Sequence, residues 1–111
     1  METKELESNI AEKNGWKIWS LSGSLNRTNF TEADKEGGNY LTSCEKFAVD
    51  MTGLTYISSA GLRVLMRLTK NATAAGKKLV ILSPSGMVKT VLEESRMDLF
   101  VPILASLDEL E

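Results

Sequence analysis

The chain has 111 residues, of which 42% are hydrophobic and 25% are charged, a composition typical of one soluble globular domain. It has no histidine, which excludes His-dependent catalytic triads and removes the commonest metal ligand. Its net charge of −2, without a basic block, gives no indication of a nucleic-acid-binding surface.

The sequence shows neither a secretion signal nor a membrane span. Residues 1–14 are polar and mixed in charge, and the longest uninterrupted apolar run, residues 79–82, is far below the roughly 20 residues that cross a bilayer. The lone cysteine, Cys44, has no intramolecular disulfide partner, which favours a reducing compartment. We therefore expect a single cytoplasmic domain over residues 1–111 with no membrane insertion.

The first predicted element is a β-hairpin. The dipeptide Asn14-Gly15 tolerates positive φ at both positions and joins a strand over residues 6–13 to a stronger strand over residues 16–22. Trp16 and Trp19 lie on opposite faces of the second strand. One tryptophan is expected in the core, and the other is either buried or an exposed contact.

A helix is predicted over residues 31–43, although two glycines interrupt it. Gly37 and Gly38 each cost about 1 kcal/mol relative to alanine in a helix interior. The hairpin and this helix together form the first half of the predicted domain.

The second half alternates between strand and helix patterns. Apolar runs at residues 47–49 and 79–82 suit buried parallel strands, and an apolar stripe at helical spacing over residues 61–75 predicts a central helix that stops at Gly76. The remaining predictions are a helix that begins near Pro84 or Ser85 and ends near Ser95, a strand over residues 100–103 and a short helix from Ser106. This alternation indicates an α/β fold: a mixed sheet of four or five strands with about four helices.

Two serines at the start of the central helix are the candidates for chemistry. The preceding strand is expected to end at Asp50 or Met51, and either Ser58 or Ser59 can cap the helix by accepting backbone N–H groups. The same helix start would also accommodate a phosphate, which adds about −1.5 to −2 charges at pH 7. From the spacing alone, a capping serine and a modified serine both remain open.

Residues 50–65, which include the run Ser-Ser-Ala-Gly-Leu-Arg-Val-Leu at 58–65, resemble the signature of STAS domains, in particular the bacterial anti-sigma factor antagonists. Segments 21–26, 77–84 and 88–109 are similar to further family elements in the same order. The resemblance covers about residues 15–110 and implies a small STAS-like domain.

In that family, an anti-sigma factor that is also a serine kinase phosphorylates the residue two positions before a Gly-Leu pair, and a serine phosphatase reverses the modification. The unphosphorylated antagonist binds the kinase and frees the sigma factor. Matching this pattern onto Gly61 and Leu62 implies that Ser59 is the phospho-acceptor. The resemblance implies no catalytic residue, metal or cofactor, and a partner-binding surface formed by Ser58, Ser59, Gly61, Leu62, Arg63, Met66, Ser22, Ser24 and Asn26.

The sequence departs from the family pattern at two positions beside the expected acceptor. Many members carry an acidic residue where this chain has Asn26, and many carry aspartate where it has Ser58. If Asn26 lies near Ser59, the site has one fewer negative charge than in those members. We therefore expect a phosphoserine at residue 59 to be less strained here.

Two other functions are alternatives to this one. The same fold could serve as a non-phosphorylated scaffold subunit of a membrane lipid-transport or other regulatory complex. A serine hydrolase that uses Ser59 is disfavoured, because the chain has no histidine and no Gly-x-Ser-x-Gly elbow at that serine. Cys44 is expected to pack as a small apolar residue, and Asp50 to cap a turn rather than bind a metal.

Overall fold

A five-stranded sheet and three α-helices form the fold in the computed structural model, which describes residues 5–110. The elements are β1 (Leu6–Lys13), β2 (Trp16–Leu25), α1 (Phe30–Thr42), β3 (Lys46–Ile57), α2 (Ser59–Ala74), β4 (Lys78–Leu82), α3 (Gly86–Glu94) and β5 (Ile103–Leu104), with 3-10 turns at Met97–Leu99 and Leu107–Glu109.

The strands lie in the order β1-β2-β3-β4-β5, with β1 antiparallel to β2 and all other neighbours parallel. The predicted mixed sheet with an N-terminal hairpin is therefore confirmed. The expected fourth helix is instead a three-residue 3-10 turn after Ser106, closed by a capping box with Glu109.

The two faces of the sheet bury separate apolar clusters, because side chains alternate along each strand. The face that carries Trp19, Phe47 and Ile81 packs against residues from all three helices. Trp19 is fully buried, stacks on Phe47 with 6.0 Å between ring centroids, and donates its indole N–H to Glu36 of α1 at 2.7 Å. This contact joins α1 to the centre of the sheet.

On the opposite face, Trp16 is only 5% exposed, so it is not the exposed contact that the sequence left open. It belongs to a cluster with Ala48 and Leu82. Leu107 and Leu110 pack on the same cluster. The C-terminal segment thus covers the apolar cluster on this face, a contact that strand alternation alone could not reveal.

Strand β3 is longer than the sequence predicts, since it continues past Asp50 and Met51 to Ile57. Its pairing with β2 shifts register twice, and at each shift β3 holds one extra residue. Asp50 caps the first irregularity by accepting the Thr52 N–H at 3.0 Å, which confirms a local capping role. The predicted turn is a bulge within a continuous strand.

The C-terminal strand also differs from the prediction. Arg96 adopts a left-handed conformation (φ 59°) and begins a 3-10 turn, so that Phe100 is 56% exposed and the strand is confined to Ile103–Leu104. Cys44 packs against the helix-side core as predicted. Burial raises the pKa of the Cys44 thiol above its usual value.

The two glycines of α1 have different environments. A Cβ on Gly37 would lie 2.7 Å from Cζ3 of Trp19 and 3.2 Å from Cδ1 of Leu68, whereas a Cβ on Gly38 would meet nothing within 4 Å. Gly37 therefore permits the close approach of α1 to the core, and Gly38 has no such role.

We expect these glycines to respond oppositely to alanine. Gly37→Ala should lower the free energy of unfolding by about 1–3 kcal/mol through overpacking against Trp19, and Gly38→Ala should raise it by about 0.5–1 kcal/mol through helix propensity. Urea denaturation of both variants beside the wild type measures the difference. An equal effect of the two substitutions would contradict the packing role of Gly37.

Candidate functional site

Ser58 is the N-cap of α2. The sequence had left open whether Ser58 or Ser59 caps this helix. The Oγ of Ser58 accepts the N–H of Gly61 at 3.3 Å, and its carbonyl oxygen accepts the N–H of Leu62 at 2.9 Å. Its own N–H donates to the carbonyl oxygen of Leu25 at 3.0 Å, at the end of β2. Ser58 thus caps the helix and also ties its first turn to the end of β2.

Ser59 is the first residue of α2 and is exposed. No group among residues 5–110 forms a hydrogen bond with its hydroxyl. A helix N-terminus favours negative charge, because its first N–H groups lack helical acceptors. Ser59 therefore combines a free, accessible hydroxyl with surroundings that accommodate an anion.

Gly61 lies beneath this helix start. It is buried, and a Cβ there would lie 2.7 Å from Cγ1 of Ile57 and 3.0 Å from the carbonyl oxygen of Leu25. The glycine lets the first turn of α2 rest directly on the end of β2. It supports the predicted surface from below and is not itself accessible to a partner.

Asn26 organises the loop that follows β2. Its Nδ2 donates to Oγ of Ser24 at 2.7 Å and to Oε2 of Glu5 at 3.0 Å. Its Oδ1 accepts the N–H of Thr28 at 2.8 Å, and its own N–H donates to Oδ1 of Asn29 at 2.9 Å. These bonds fix the Asn26 side chain on the side of the loop that faces Glu5.

The loop and the helix start enclose one cleft of about 340 Å³. Asn26 and Ser59 both line it, so the predicted neighbourhood of these residues is present. The full lining is Glu5, Asn26, Arg27, Thr28, Tyr56, Ser58, Ser59 and Ala60.

Five of these lining residues were missed by sequence reasoning, and one of them, Ala60, directly follows the predicted acceptor. Tyr56 is 45% exposed, and a large aromatic residue two positions before Ser58 was the one available signal. Arg27 and Thr28 follow Asn26 and could have been included as loop neighbours. Glu5 lies 21 positions before Asn26 and has no local sequence signal.

The other predicted partner-binding residues divide between two places. Leu62, Arg63 and Met66 lie three, four and seven positions after Ser59, so these four residues share one face of α2. Leu62 and Met66 are half-buried against the core, and Arg63 is exposed. Ser22 lines a separate cleft of about 260 Å³ and does not join the Ser59 cleft.

The electrostatics of the cleft include one carboxylate. Hydrogen bonds from Asn26 and then Thr28 lower the pKa of Glu5 below its usual value, because both donors favour the ionised form. Among residues 5–110 there is no group of three or more Cys, Asp or Glu side chains suited to a metal ion. No helix in the same range is long and apolar enough to span a membrane.

Comparison with known proteins identifies relatives of this fold. A family model of the STAS domain matches residues 4–110. An anti-sigma factor antagonist from Mycobacterium paratuberculosis superposes with a TM-score of 0.86 at 14% identity, over 94% of this chain and 89% of that one. The STAS domain protein from Planctomyces limnophilus gives 0.78 at 15% identity, over 92% of each chain.

A third similar structure is the Bacillus cell fate determinant SpoIIAA in its phosphorylated form. It superposes with a TM-score of 0.70 at 13% identity, over 93% of this chain and 95% of that one. At these identities the structural similarities show a shared fold.

The two serines should differ in their effect on stability. Ser58→Ala removes the cap and should lower the free energy of unfolding by about 0.5–2 kcal/mol. Ser59→Ala removes an exposed hydroxyl that has no hydrogen-bond partner in the described part of the chain, and it should change the free energy of unfolding by less than about 0.5 kcal/mol. Denaturant titration of the two variants tests this order, and a larger loss in Ser59→Ala would contradict the assignment of Ser58 as the cap.

Proposed function

Because this chain belongs to the STAS domain family, we propose that it is an anti-sigma factor antagonist controlled by phosphorylation of Ser59. In its unphosphorylated state it binds a partner that is both an anti-sigma factor and a serine kinase. Phosphorylation ends that binding, and a serine phosphatase restores it. The protein acts in the bacterial cytoplasm as a binding protein and catalyses no reaction itself.

One observation carries this proposal: Ser59, the first residue of α2, is exposed and its hydroxyl forms no hydrogen bond within residues 5–110, while its neighbour Ser58 is engaged as the cap. A kinase needs an accessible hydroxyl, and phosphorylating the cap would disturb the helix. The position also accommodates the product, because the helix N-terminus favours an anion. The fold is shared with the anti-sigma factor antagonist from Mycobacterium paratuberculosis and with SpoIIAA, which is consistent with this role.

The proposed partner-binding surface consists of the Ser59 face of α2 and the rim of the cleft. Leu62 and Met66 supply apolar contact area, and Arg63 supplies charge. Ser24 lies at the end of β2, and Asn26 lies in the loop that follows it. Ser59 lies at the junction of the helix face and the loop. A phosphate there would enter any interface that covers both.

The size of the effect is sufficient for a switch. A phosphate that a partner must desolvate without an arginine to pair with it disfavours binding. Each 1.4 kcal/mol of lost binding free energy is about a tenfold loss of affinity, so a few kcal/mol would reduce a tight complex to a weak one.

The alternative is a scaffold subunit of a membrane lipid-transport or other regulatory complex, which would use the same surface as a constant contact. It predicts a transporter subunit rather than a kinase as the protein recovered with this chain. It also predicts that the phosphorylation state of Ser59 does not affect binding.

We expect Ser59→Ala to bind the partner kinase as tightly as the unphosphorylated protein and to remain bound in the presence of ATP. Ser59→Asp should bind at least tenfold more weakly, because it places a charge in the interface. Isothermal titration calorimetry against the purified kinase measures both, with Ser85→Asp, at the start of α3, as the charge control. Equal affinities for the wild-type, alanine, aspartate and phosphorylated forms would refute the switch.

Phosphorylation should occur on Ser59 and not on Ser58, since only the former hydroxyl is free of hydrogen bonds within residues 5–110. Tandem mass spectrometry of the kinase-treated protein locates the phosphate. Ser59→Ala should abolish incorporation, and Ser58→Ala should retain it. Modification confined to Ser58 would show that the family alignment is displaced by one residue.

A further inference from the structure

Glu5 is fixed in place at the edge of the Ser59 cleft, although it precedes the first strand. Its Oε2 accepts hydrogen bonds from Nδ2 of Asn26 at 3.0 Å and from Oγ1 of Thr28 at 2.9 Å. Its carbonyl oxygen accepts the N–H of Ser24 at 2.7 Å. The end of β2 therefore holds the main chain of Glu5, and the loop that forms one wall of the cleft holds its side chain.

Gly23 makes this arrangement possible. It has a φ of +96°, and a Cβ at this position would collide with the carbonyl oxygen of Glu5. Only a residue without a side chain lets the beginning of β1 come this close to β2. The position of Glu5 is thus specified by the fold and not by a chance surface contact.

Two charged side chains line the cleft, one just before β1 and one in the loop after β2. Glu5 contributes a carboxylate that is held by hydrogen bonds, and Arg27 contributes an exposed guanidinium that forms no ion pair within residues 5–110. Tyr56 of β3 is the other titratable residue of the lining. The lining residues of α2 carry no charge, but the exposed guanidinium of Arg63 lies one helical turn after the acceptor serine on the same face of α2. Position 26 is an amide, but that amide binds the carboxylate of Glu5.

We propose that Glu5 is the acidic group of the acceptor cleft, and that Asn26 and Thr28 hold its carboxylate where it opposes a phosphate on Ser59. Asn26 is then a positioning residue that acts through Glu5. This proposal rests on the proposed function, since it concerns the residue assigned there as the acceptor. It replaces the expectation that Asn26 leaves the site short of one negative charge.

The proposal predicts a change in the pKa of a phosphate on Ser59. A nearby negative charge makes the second deprotonation of phosphoserine less favourable, so Glu5 should raise the pKa of that step, which lies near 6 in the absence of neighbours. Arg27 should lower it. If a unit charge stands about 6 Å from the phosphate in water, it changes the proton affinity of the phosphate roughly threefold.

The test uses the full chain with phosphoserine incorporated at position 59 during translation, so that no kinase is needed. Phosphorus-31 NMR follows the phosphate signal as a function of pH. Glu5→Gln keeps a hydrogen-bond acceptor but removes the charge. It should lower the phosphoserine pKa, which means that the acid dissociation constant of that step rises roughly threefold. Asn26→Ala should also lower it, and Glu5→Asp should restore part of the effect.

Two variants act as controls. Glu12→Gln removes the same charge at the far end of β1 and should leave the titration unchanged. Arg27→Gln should shift the titration in the opposite direction, which shows that the phosphate senses the cleft. If Arg27→Gln shifts the titration and Glu5→Gln does not, or if neither does, the role of Glu5 is wrong.

This result is independent of partner binding. A titration that responds to Glu5 in a protein whose phosphorylation does not change kinase affinity would refute the proposed function and keep the charge coupling. A titration that ignores Glu5 in a protein whose binding depends on phosphorylation would do the reverse.

Discussion

The site depends on the contact between the first turn of α2 and the end of β2. This contact exists because Gly61 has no side chain: a Cβ would overlap Cγ1 of Ile57 and press against the carbonyl oxygen of Leu25. The same carbonyl accepts the N–H of Ser58, so the helix cap is tied to the strand that precedes the Asn26 loop. Without this close approach, Ser59 and Asn26 would not border a common cleft.

The strands supply the second constraint, because they determine where each residue of the site emerges from the sheet. The irregular pairing of β3 with β2 lets β3 run on to Ile57, which delivers α2 beside the end of β2. At the other edge, the left-handed Gly23 lets the beginning of β1 approach the same loop. Three strands of the sheet therefore converge on one small cleft, and both β2 and β3 depart from regular strand geometry where they do so.

Local patterns in the sequence were enough to predict the hairpin at Asn14-Gly15, the central helix and the mixed sheet, because each depends on nearby residues and hydrophobic periodicity. The same patterns failed where a distant segment decides the outcome. Trp16 is buried by the C-terminal residues that cover its face of the sheet, and Glu5 reaches the cleft through a hydrogen bond across 21 positions. The extension of β3 was missed because Asp50 and Gly53 are typical of turns and also of bulges. The motif pointed to Gly61, but its packing role could not be predicted, because that role depends on where Leu25, a distant residue in the sequence, lies in the fold.

The exposure of the cleft decides where a phosphate on Ser59 would act. In the free protein such a phosphate stands in water, where salt and solvent screen its repulsion by Glu5 and its attraction to Arg27. The helix N-terminus adds a stabilisation of only about 0.3–1 kcal/mol. None of these contributions is large enough to unfold a domain whose helix cap, Ser58, is a different residue. When a partner covers the cleft, water is excluded, screening falls, and the charges of the phosphate and Glu5 must both be matched or desolvated. The arrangement would thus place the energetic effect of the proposed phosphorylation in the proposed interface and leave the fold nearly unaffected, which is the property that a reversible binding switch requires.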